Sequence, residues 1–203
     1  MENSPQTKSE RTRRFIIEKA APVFNKKGIV GTTLADLTEA TGLTKGGIYG
    51  NFKDKDAVAV AVFQYHVDNL TAFLTGEIGR ETTSIGKLLA IPKAYRKLHK
   101  HIMAYGGCPI LNTAAEADDT HQILRKMAVA AIESMKTTIK SLIKTGQGEK
   151  AIRVDADPEA IANVMLALIE GGALLSKASE RDAYMTHCLD HMEQVIHGIE
   201  ITE

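Results

Sequence analysis

Several residue types and patterns that define other protein classes are scarce or missing in this chain. Its 203 residues include no Trp, two Cys and five Pro, and turn dipeptides do not alternate with short β-type runs. Two Cys are too few for a disulfide framework, and no apolar leader follows the N-terminus, so a reducing cytoplasm is expected. No hydrophobic run reaches the roughly 20 residues of a spanning helix, which argues against a membrane protein. These absences favour an all-α fold.

The balance of charge differs between the two parts of the chain. The whole sequence has 25 Lys and Arg against 25 Asp and Glu. Residues 1–56 contain ten basic and seven acidic residues, whereas residues 57–203 contain fifteen basic and eighteen acidic ones. We therefore predict a basic N-terminal domain, residues 1–56, which suits an anionic partner, and an acidic C-terminal domain, residues 57–203.

Hydrophobic residues recur at helical spacing in about nine segments. Gly, Asp and Pro residues separate the segments and are typical of helix ends. Pro22 lies inside the first segment, where we expect a local kink because proline removes a backbone hydrogen bond. The predicted helices are residues 10–27, 34–40, 45–51, 54–76, 84–105, 108–117, 120–144, 158–177 and 180–199.

Residues 33–52 have the pattern of a helix-turn-helix motif. Thr33 and Asp36 form a capping box at the start of one short helix, Gly42 supplies a turn, and Thr44 caps a second short helix. Such a pair presents its second helix to the major groove of DNA. We expect the core between these helices and the first one to consist of Leu34, Leu37, Leu43, Ile48 and Phe52.

The residues that remain outside this core are small, polar or basic. Gly46 and Gly47 weaken a short helix by roughly 1 kcal/mol each relative to Ala, but they let the backbone approach a base or a phosphate. Lys53 and Lys55 flank the next helix start, and Arg11, Arg13 and Arg14 form a basic cluster nearby. This arrangement indicates a DNA-binding surface.

The segments FIIEKAAPVFNKKG and TTLADLTEATGLTKGGIYGNFKDKDAVAVAVF together resemble the DNA-binding domain of the TetR family of transcriptional regulators. The resemblance covers about a quarter of the chain. It implies that Thr44, Lys45, Gly46 and Gly47 approach bases and that Tyr49, Asn51 and Lys55 hold phosphates. Many relatives have Tyr in place of Gly50 and His in place of Asn51. The predicted DNA-binding residues are Arg14, Thr33, Thr44, Lys45, Gly46, Gly47, Tyr49, Asn51, Lys53 and Lys55.

The resemblance also implies that the last two helices form a four-helix bundle with a second copy of the chain. Residues 158–177 are unusually apolar, which indicates a helix that is buried on most sides. Burial inside one monomer is the alternative explanation. We predict a homodimer through residues 158–199, in agreement with a two-fold reader of palindromic DNA.

The other helices of such a fold surround a cavity for a small, largely apolar effector. Plain core packing is the alternative for each residue. Candidate polar anchors are His99, Asn112 and Tyr184. The residues expected to contact a ligand are Phe63, Val67, Tyr95, Leu98, His99, Ile102, Met103, Cys108, Leu111, Asn112, Ile123, Met127, Met165 and Ile169.

Cys108 gives rise to a second functional hypothesis. The Cys108-Pro109 pair places the thiol at a helix start, where the helix dipole lowers a thiol pKa, and Lys177 is a conceivable basic neighbour. A regulator on the same scaffold would then sense oxidants or electrophiles through Cys108. A buried, inert thiol is the alternative.

Evidence for catalysis or for a metal site is slight. His187 and His191 share one helical face beside Cys188, but no second cluster at ligand spacing accompanies them. Neither a G-x-S-x-G elbow nor a phosphate-binding glycine loop is present, so we expect no cofactor, metal or enzymatic activity. The sequence favours a repressor that a ligand releases from DNA; an activator fits equally well, and a helical carrier or enzyme is a less favoured alternative.

Overall fold

The computed structural model describes residues 7–201, which form nine α-helices and no strand. The predicted all-α fold is confirmed, and every predicted helix is present with its ends shifted by a few residues. The helices are α1 (Lys8–Gly31), α2 (Leu34–Thr41), α3 (Lys45–Tyr49), α4 (Lys55–Ile78), α5 (Ser84–Ala104), α6 (Pro109–Ala117), α7 (Gln122–Gly148), α8 (Pro158–Ser179) and α9 (Ala183–His197).

Helix α1 is interrupted at Gly28 and not at Pro22. Pro22 keeps helical dihedral angles, because its ring fixes φ at a helical value and only one backbone hydrogen bond is lost. Gly28 has φ 72° and ψ −178°, and a further turn follows it to Gly31. The chain therefore continues as one helix through Pro22, and the regular part of the helix ends at Gly28. The kink at Pro22 stays a prediction.

Local capping fixes the helix-turn-helix segment as the sequence predicts. The Asp36 backbone N–H donates to Thr33 Oγ1 (3.2 Å), and the Thr33 N–H donates to Asp36 Oδ2 (2.8 Å). Gly42 adopts a left-handed conformation with φ 67°, which turns the chain toward α3. Lys27, 2.6 Å from Asp36, and the bonds from Thr33 lower the pKa of Asp36 to about 2. The carboxylate therefore stays ionised at neutral pH and holds the cap.

Two hydrophobic clusters stabilise the molecule. One lies among helices α5, α7, α8 and α9 of the predicted C-terminal domain, residues 57–203, which we call the body, and includes Met165 and Ile169. The other starts in the predicted N-terminal domain, residues 1–56, which we call the head. There Leu37, Ile48 and Phe52 are buried, and Leu34 and Leu43 are half-buried. This second cluster continues through α4 into α6 and α7, with Ile110 and Leu124 as members. The division at residue 56 stays a prediction, and packed side chains cross it.

Candidate nucleic-acid interface and ligand cavities

The exposed tip of the helix-turn-helix segment is the N-terminal turn of α3. Thr44, Lys45 and Gly46 are exposed, and Thr44 Oγ1 accepts a hydrogen bond from the Gly47 N–H (3.2 Å). A Cβ placed on Gly46 would have only Thr44 Oγ1 within 4 Å, at 3.9 Å. The backbone at this tip is thus open to an approaching base edge. These are the residues that the sequence assigns to base contact.

The candidate phosphate-binding residues differ in how they are engaged. Lys53 is exposed, and Tyr49 is half-buried against the head core. The Arg14 Nε lies 2.8 Å from Glu18 Oε1 on the surface of α1. The Asn51 amide donates to the Gly47 carbonyl (2.9 Å) and so closes the end of α3. Asn51 therefore stabilises the tip whether or not it also meets DNA.

Lys55 is engaged inside the chain. Its ammonium donates to the carbonyl oxygens of Ile29 (2.7 Å) and Thr32 (3.0 Å). These carbonyls belong to the segment 28–33, which leads into the α2 cap. An ammonium has three donors, so one remains for another partner. Lys55 thus positions the segment that carries α2, in addition to its expected phosphate contact.

Arg13 links α1 to the end of α3. It is not among the predicted DNA-binding residues. Its guanidinium carbon lies 4.0 Å from the centroid of the Phe52 ring, and the same group donates to the Asn51 carbonyl (2.8 Å). This cation–π and hydrogen-bond pair fixes α3 against α1. Its only sequence signal was its place in the basic cluster.

The segment after the Gly28 break is also held by the body. The backbone N–H groups of Ile29 and Val30 donate to the Glu116 carboxylate at 2.8 and 2.9 Å. A Cβ at Gly28 would lie 2.5 Å from this carboxylate, so glycine is required there both by its positive φ and by close approach. Glu116 lies in the last turn of α6. Helix α6 therefore grips the same segment as Lys55 does.

Asn25 of α1 ties the other end of α6 to the head. Its amide donates to the carbonyls of Tyr105 (2.7 Å) and Gly107 (2.9 Å), and it accepts from the Asn112 amide (3.0 Å). Both ends of α6 are thus bonded to α1. Any displacement of α6 must move α1 or break these bonds.

Three cavities meet around residues 107–109. A cavity of about 430 Å³ at the junction of head and body is lined by Phe63, Asn112, Glu116 and Lys177, among others. A second, of about 310 Å³, lies between α1, α4 and α5 and is lined largely by apolar and aromatic side chains. A third, of about 260 Å³, lies between α6 and α8. Cys108 lines the second and third cavities, so its thiol lies between them.

The structure brings half of the predicted ligand-contact residues to these cavities. Tyr95, Leu98, Ile102 and Cys108 line the second cavity, and the others line the first or third. Val67, Met103 and Met127 are half-buried in packing, while His99, Met165 and Ile169 are buried in the body. Ile123 is 59% exposed and Tyr184 is also exposed. The residues on the cavities are Phe63, Tyr95, Leu98, Ile102, Cys108, Leu111 and Asn112.

The structure confirms the predicted position of Cys108 but not its predicted chemical environment. The thiol does lie at the start of α6, but it is buried and donates to Glu170 Oε1 (3.3 Å). Burial and the Glu170 charge raise the pKa of Cys108 well above its ordinary value, against the expected lowering by the helix dipole. The Lys177 stem packs over Gly107, next to Cys108 in the chain. Glu170, 62 residues away, gave no signal in the sequence.

One face of α8 is apolar and uncovered. Val164, Leu174 and Leu175 are 44%, 52% and 47% exposed, and Ala167 and Ala178 lie on the same face. Within the described chain, α8 is the one helix long and apolar enough to cross a membrane, judged by length and composition alone. Its opposite face packs against α7 and α9. An apolar face that is this large marks a surface for association.

Among the residues that the structure describes, no group of three or more His, Cys, Asp or Glu side chains is placed to hold a metal ion. His187 and His191 are exposed on α9. His99 is buried, and its Nε2 lies 2.8 Å from Asp182 Oδ1. His99 therefore joins α5 to the start of α9 and lines none of the three cavities.

Comparison with known proteins places the whole chain in one family. Residues 16–62 match the model for bacterial regulatory proteins of the tetR family, and residues 84–192 match the tetracyclin repressor-like C-terminal domain. A TetR-family regulator from Cytophaga hutchinsonii is 46% identical with a TM-score of 0.92, over 98% of this chain and 100% of that one.

Two further relatives agree. A TetR regulator from Chloroflexus aurantiacus is 32% identical with a TM-score of 0.91, over 96% of this chain and 99% of that one. The transcriptional repressor DhaR of Mycobacterium sp. is 24% identical over 81% of this chain and 82% of its own length. All three relatives are named as transcriptional regulators or repressors. The chain belongs to the TetR family of helix-turn-helix transcriptional regulators.

Proposed function

We propose that this regulator is a cytoplasmic, dimeric repressor that binds a palindromic operator and releases it when a small, largely apolar ligand occupies the body. The observation that carries the proposal is the exposed turn formed by Thr44, Lys45 and Gly46, which two capped helices hold at the tip of the head. A short helix presented in this way reads the major groove through its first turn.

The uncovered face of α8 supports a two-fold dimer through residues 158–199. The small residues Ala167, Gly171 and Ala178 lie on the same face of α8 as the exposed Val164 and Leu174. A Cβ on Gly171 would meet nothing within 4 Å. Small residues along a stripe let a second helix approach closely. A two-fold dimer also presents two heads to two half-sites, as a palindrome requires.

Helix α6 is the proposed connection between ligand and head. Its first turn borders the cavities at Cys108, and its last turn holds Ile29 and Val30 through Glu116. A ligand that binds more tightly to a conformation with a shifted α6 therefore stabilises a dimer whose two heads no longer match the two half-sites of the operator. To change the ratio of the two conformations from 1:99 to 99:1, its binding must differ by about 5.5 kcal/mol between them.

Lys53→Ala tests the DNA contact directly. We expect operator affinity to fall about fivefold to tenfold at moderate salt, with the slope of log K against log salt reduced by about 0.9 because one phosphate contact is lost. Fluorescence anisotropy across several salt concentrations measures both quantities. Lys53 is preferable to Lys55, since Lys55 also supports the backbone. Lys144→Ala, an exposed change on α7, is the control; an equal effect of both variants would contradict a local contact.

Glu116→Gln tests the coupling through α6. The amide nitrogen of Gln cannot accept a hydrogen bond, so one of the two backbone N–H groups at the Gly28 break loses its partner. We expect the free energy of unfolding to fall by about 1–2 kcal/mol and operator affinity to fall about tenfold. Denaturant unfolding and anisotropy measure the two effects.

The matched control for this coupling is Glu133→Gln, whose carboxylate lies on the exposed surface of α7 and pairs with Lys136 at 2.8 Å. It removes the same charge without touching the head. Operator affinity that is unchanged by Glu116→Gln would contradict a role for α6 in placing the head.

A thiol sensor is the second candidate function, because Cys108 borders two cavities through which a reagent can reach it. Its raised pKa argues against rapid reaction, since the thiolate is the nucleophile. We therefore expect N-ethylmaleimide at neutral pH to change operator affinity equally in the wild type and in Cys108→Ser. Release of DNA by the treated wild type alone, with Cys108 identified as the modified residue by mass spectrometry, would favour the sensor.

A further inference from the structure

One wall of the 310 Å³ cavity adjoins buried polar side chains, two of whose oxygen atoms have no hydrogen-bond partner among the described residues. Tyr95 is 2% exposed and lines the cavity, and its hydroxyl has no hydrogen-bond partner among the described residues. Behind Cys108, Glu170 uses Oε1 to accept from the thiol, while its buried Oε2 also lacks a partner within residues 7–201. Buried polar atoms are normally satisfied, so the Tyr95 hydroxyl on the cavity wall and the Glu170 oxygen behind Cys108 each have capacity for a polar partner.

The lining of this cavity suits a positive charge. Four aromatic rings, Tyr65, Phe73, Tyr95 and Tyr105, line it, together with Glu18, whose carboxylate pairs with Arg14. None of the described residues that line it is Lys or Arg. Burial lowers the pKa of His66, so this lining ring stays neutral. Aromatic faces and a buried carboxyl attract organic cations and disfavour anions.

The environment of Glu170 agrees with this chemistry. Burial raises the pKa of Glu170, so a cation nearby would stabilise its ionised form. Tyr95 and Cys108 line the same cavity, and the Cys108 thiol lies 3.3 Å from Glu170 Oε1. Burial raises the pKa of Tyr95 well above its ordinary value, and the neighbouring acidic groups of Cys108 and Glu170 raise it further. An ammonium at this wall would donate to the Tyr95 oxygen and offset the Glu170 charge.

We infer that the effector of this regulator is a lipophilic amine, whose protonated nitrogen lies beside Tyr95 and Glu170 and whose apolar body fills the aromatic cavity. The inference rests on the proposed ligand-released repressor and specifies its ligand class. A volume of about 310 Å³ accepts a small aromatic amine.

Three probes with one skeleton test this ligand class: 4-phenylbutylamine, 4-phenylbutanol and 4-phenylbutanoate, titrated into the full chain by calorimetry at neutral pH. We expect the amine to bind at least about tenfold more tightly than the alcohol and the carboxylate to bind most weakly. In Glu170→Gln, the amine should lose this advantage and bind within about threefold of the alcohol. Glu133→Gln is the control and should keep the full preference.

Tyr95→Phe, which removes only the hydroxyl, is the second variant in case Glu170→Gln does not fold. It should weaken binding of the amine at least about threefold, as expected for one lost hydrogen bond. No binding of the amine, no preference for it over the alcohol, or an unchanged preference in a folded Glu170→Gln would overturn the inference. An unchanged amine affinity in Tyr95→Phe would overturn it as well.

The same wild-type preparation is tested for binding to DNA selected from a random pool. Wild type that binds DNA but shows no preference for the amine overturns only the ligand class. Wild type that binds no DNA overturns the proposed repressor function, whatever the probes do.

Discussion

Leu174→Glu is expected to convert the dimer to a monomer and to lower operator affinity by about a hundredfold or more. Leu174 is 52% exposed on the apolar face of α8 and belongs to neither hydrophobic cluster, so we expect the monomer to stay folded. In a two-fold dimer, each copy of the new carboxylate would be buried near an apolar partner surface and near its own symmetry mate, which costs several kcal/mol. Loss of the second head then removes the cooperative contact with the second half-site.

Sedimentation velocity and fluorescence anisotropy measure the two parts of this result. Val154→Glu is the matched control, because Val154 is 85% exposed in the loop between α7 and α8. It adds the same charge at a position outside the predicted interface. A Leu174→Glu protein that remains a dimer would contradict the assignment of this face, and a monomer that keeps full operator affinity would contradict the need for two heads.

Gly46→Leu is expected to lower the affinity for the operator by about a hundredfold without destabilising the protein. A Cβ at Gly46 has open space in the free protein, with its nearest neighbour 3.9 Å away. Leu is also a better helix former than Gly by up to about 1 kcal/mol, so the melting temperature should stay equal or rise. On DNA, the same side chain would occupy the space in which the backbone approaches a base edge.

The matched control for this result is Gly76→Leu in α4, where a Cβ would also meet nothing within 4 Å. Both variants exchange an exposed helical Gly for Leu, and only one lies at the proposed interface. Melting curves and anisotropy compare them. Equal DNA affinities for the two variants would show that the α3 tip does not face the duplex.

The fold and the α3 tip could be predicted because their determinants are local. The Thr33–Asp36 capping box, the left-handed Gly42 and the Thr44 cap each act within four residues along the chain. The same holds for the periodicity that marks each body helix. Pro22 does not end α1, as predicted, because the proline ring fixes φ at a helical value.

The ligand site was less predictable because it depends on which helix faces meet. Phe63 and Val67 were chosen on α4, but the face on the aromatic cavity carries Tyr65, Asn69 and Phe73. When two faces of one helix are both apolar, the residue types do not show which face lines a cavity and which packs against a neighbouring helix. The contact of Cys108 with Glu170 and the bonds of Glu116 to Ile29 and Val30 join residues 62 and about 87 positions apart, and no spacing rule connects them.

The role of Lys55 illustrates a further limit. Its place at the start of α4 predicted a phosphate contact, and the structure adds two carbonyl partners in the segment 28–33. These carbonyls are free to accept because they follow the helix break at Gly28, which the sequence showed only as a helix end. The contacts between head and body therefore become apparent only in the structure, whereas the candidate DNA-binding surface could be predicted from the sequence.

Selection of bound sequences from a random double-stranded DNA pool, performed at two salt concentrations, tests directly whether this chain is a dimeric operator-binding regulator. We expect enrichment of a palindrome with two inverted half-sites, together with affinity that falls steeply as salt rises. Absence of any enriched motif at either salt concentration, or enrichment of single half-sites alone, would contradict a dimeric operator-binding regulator.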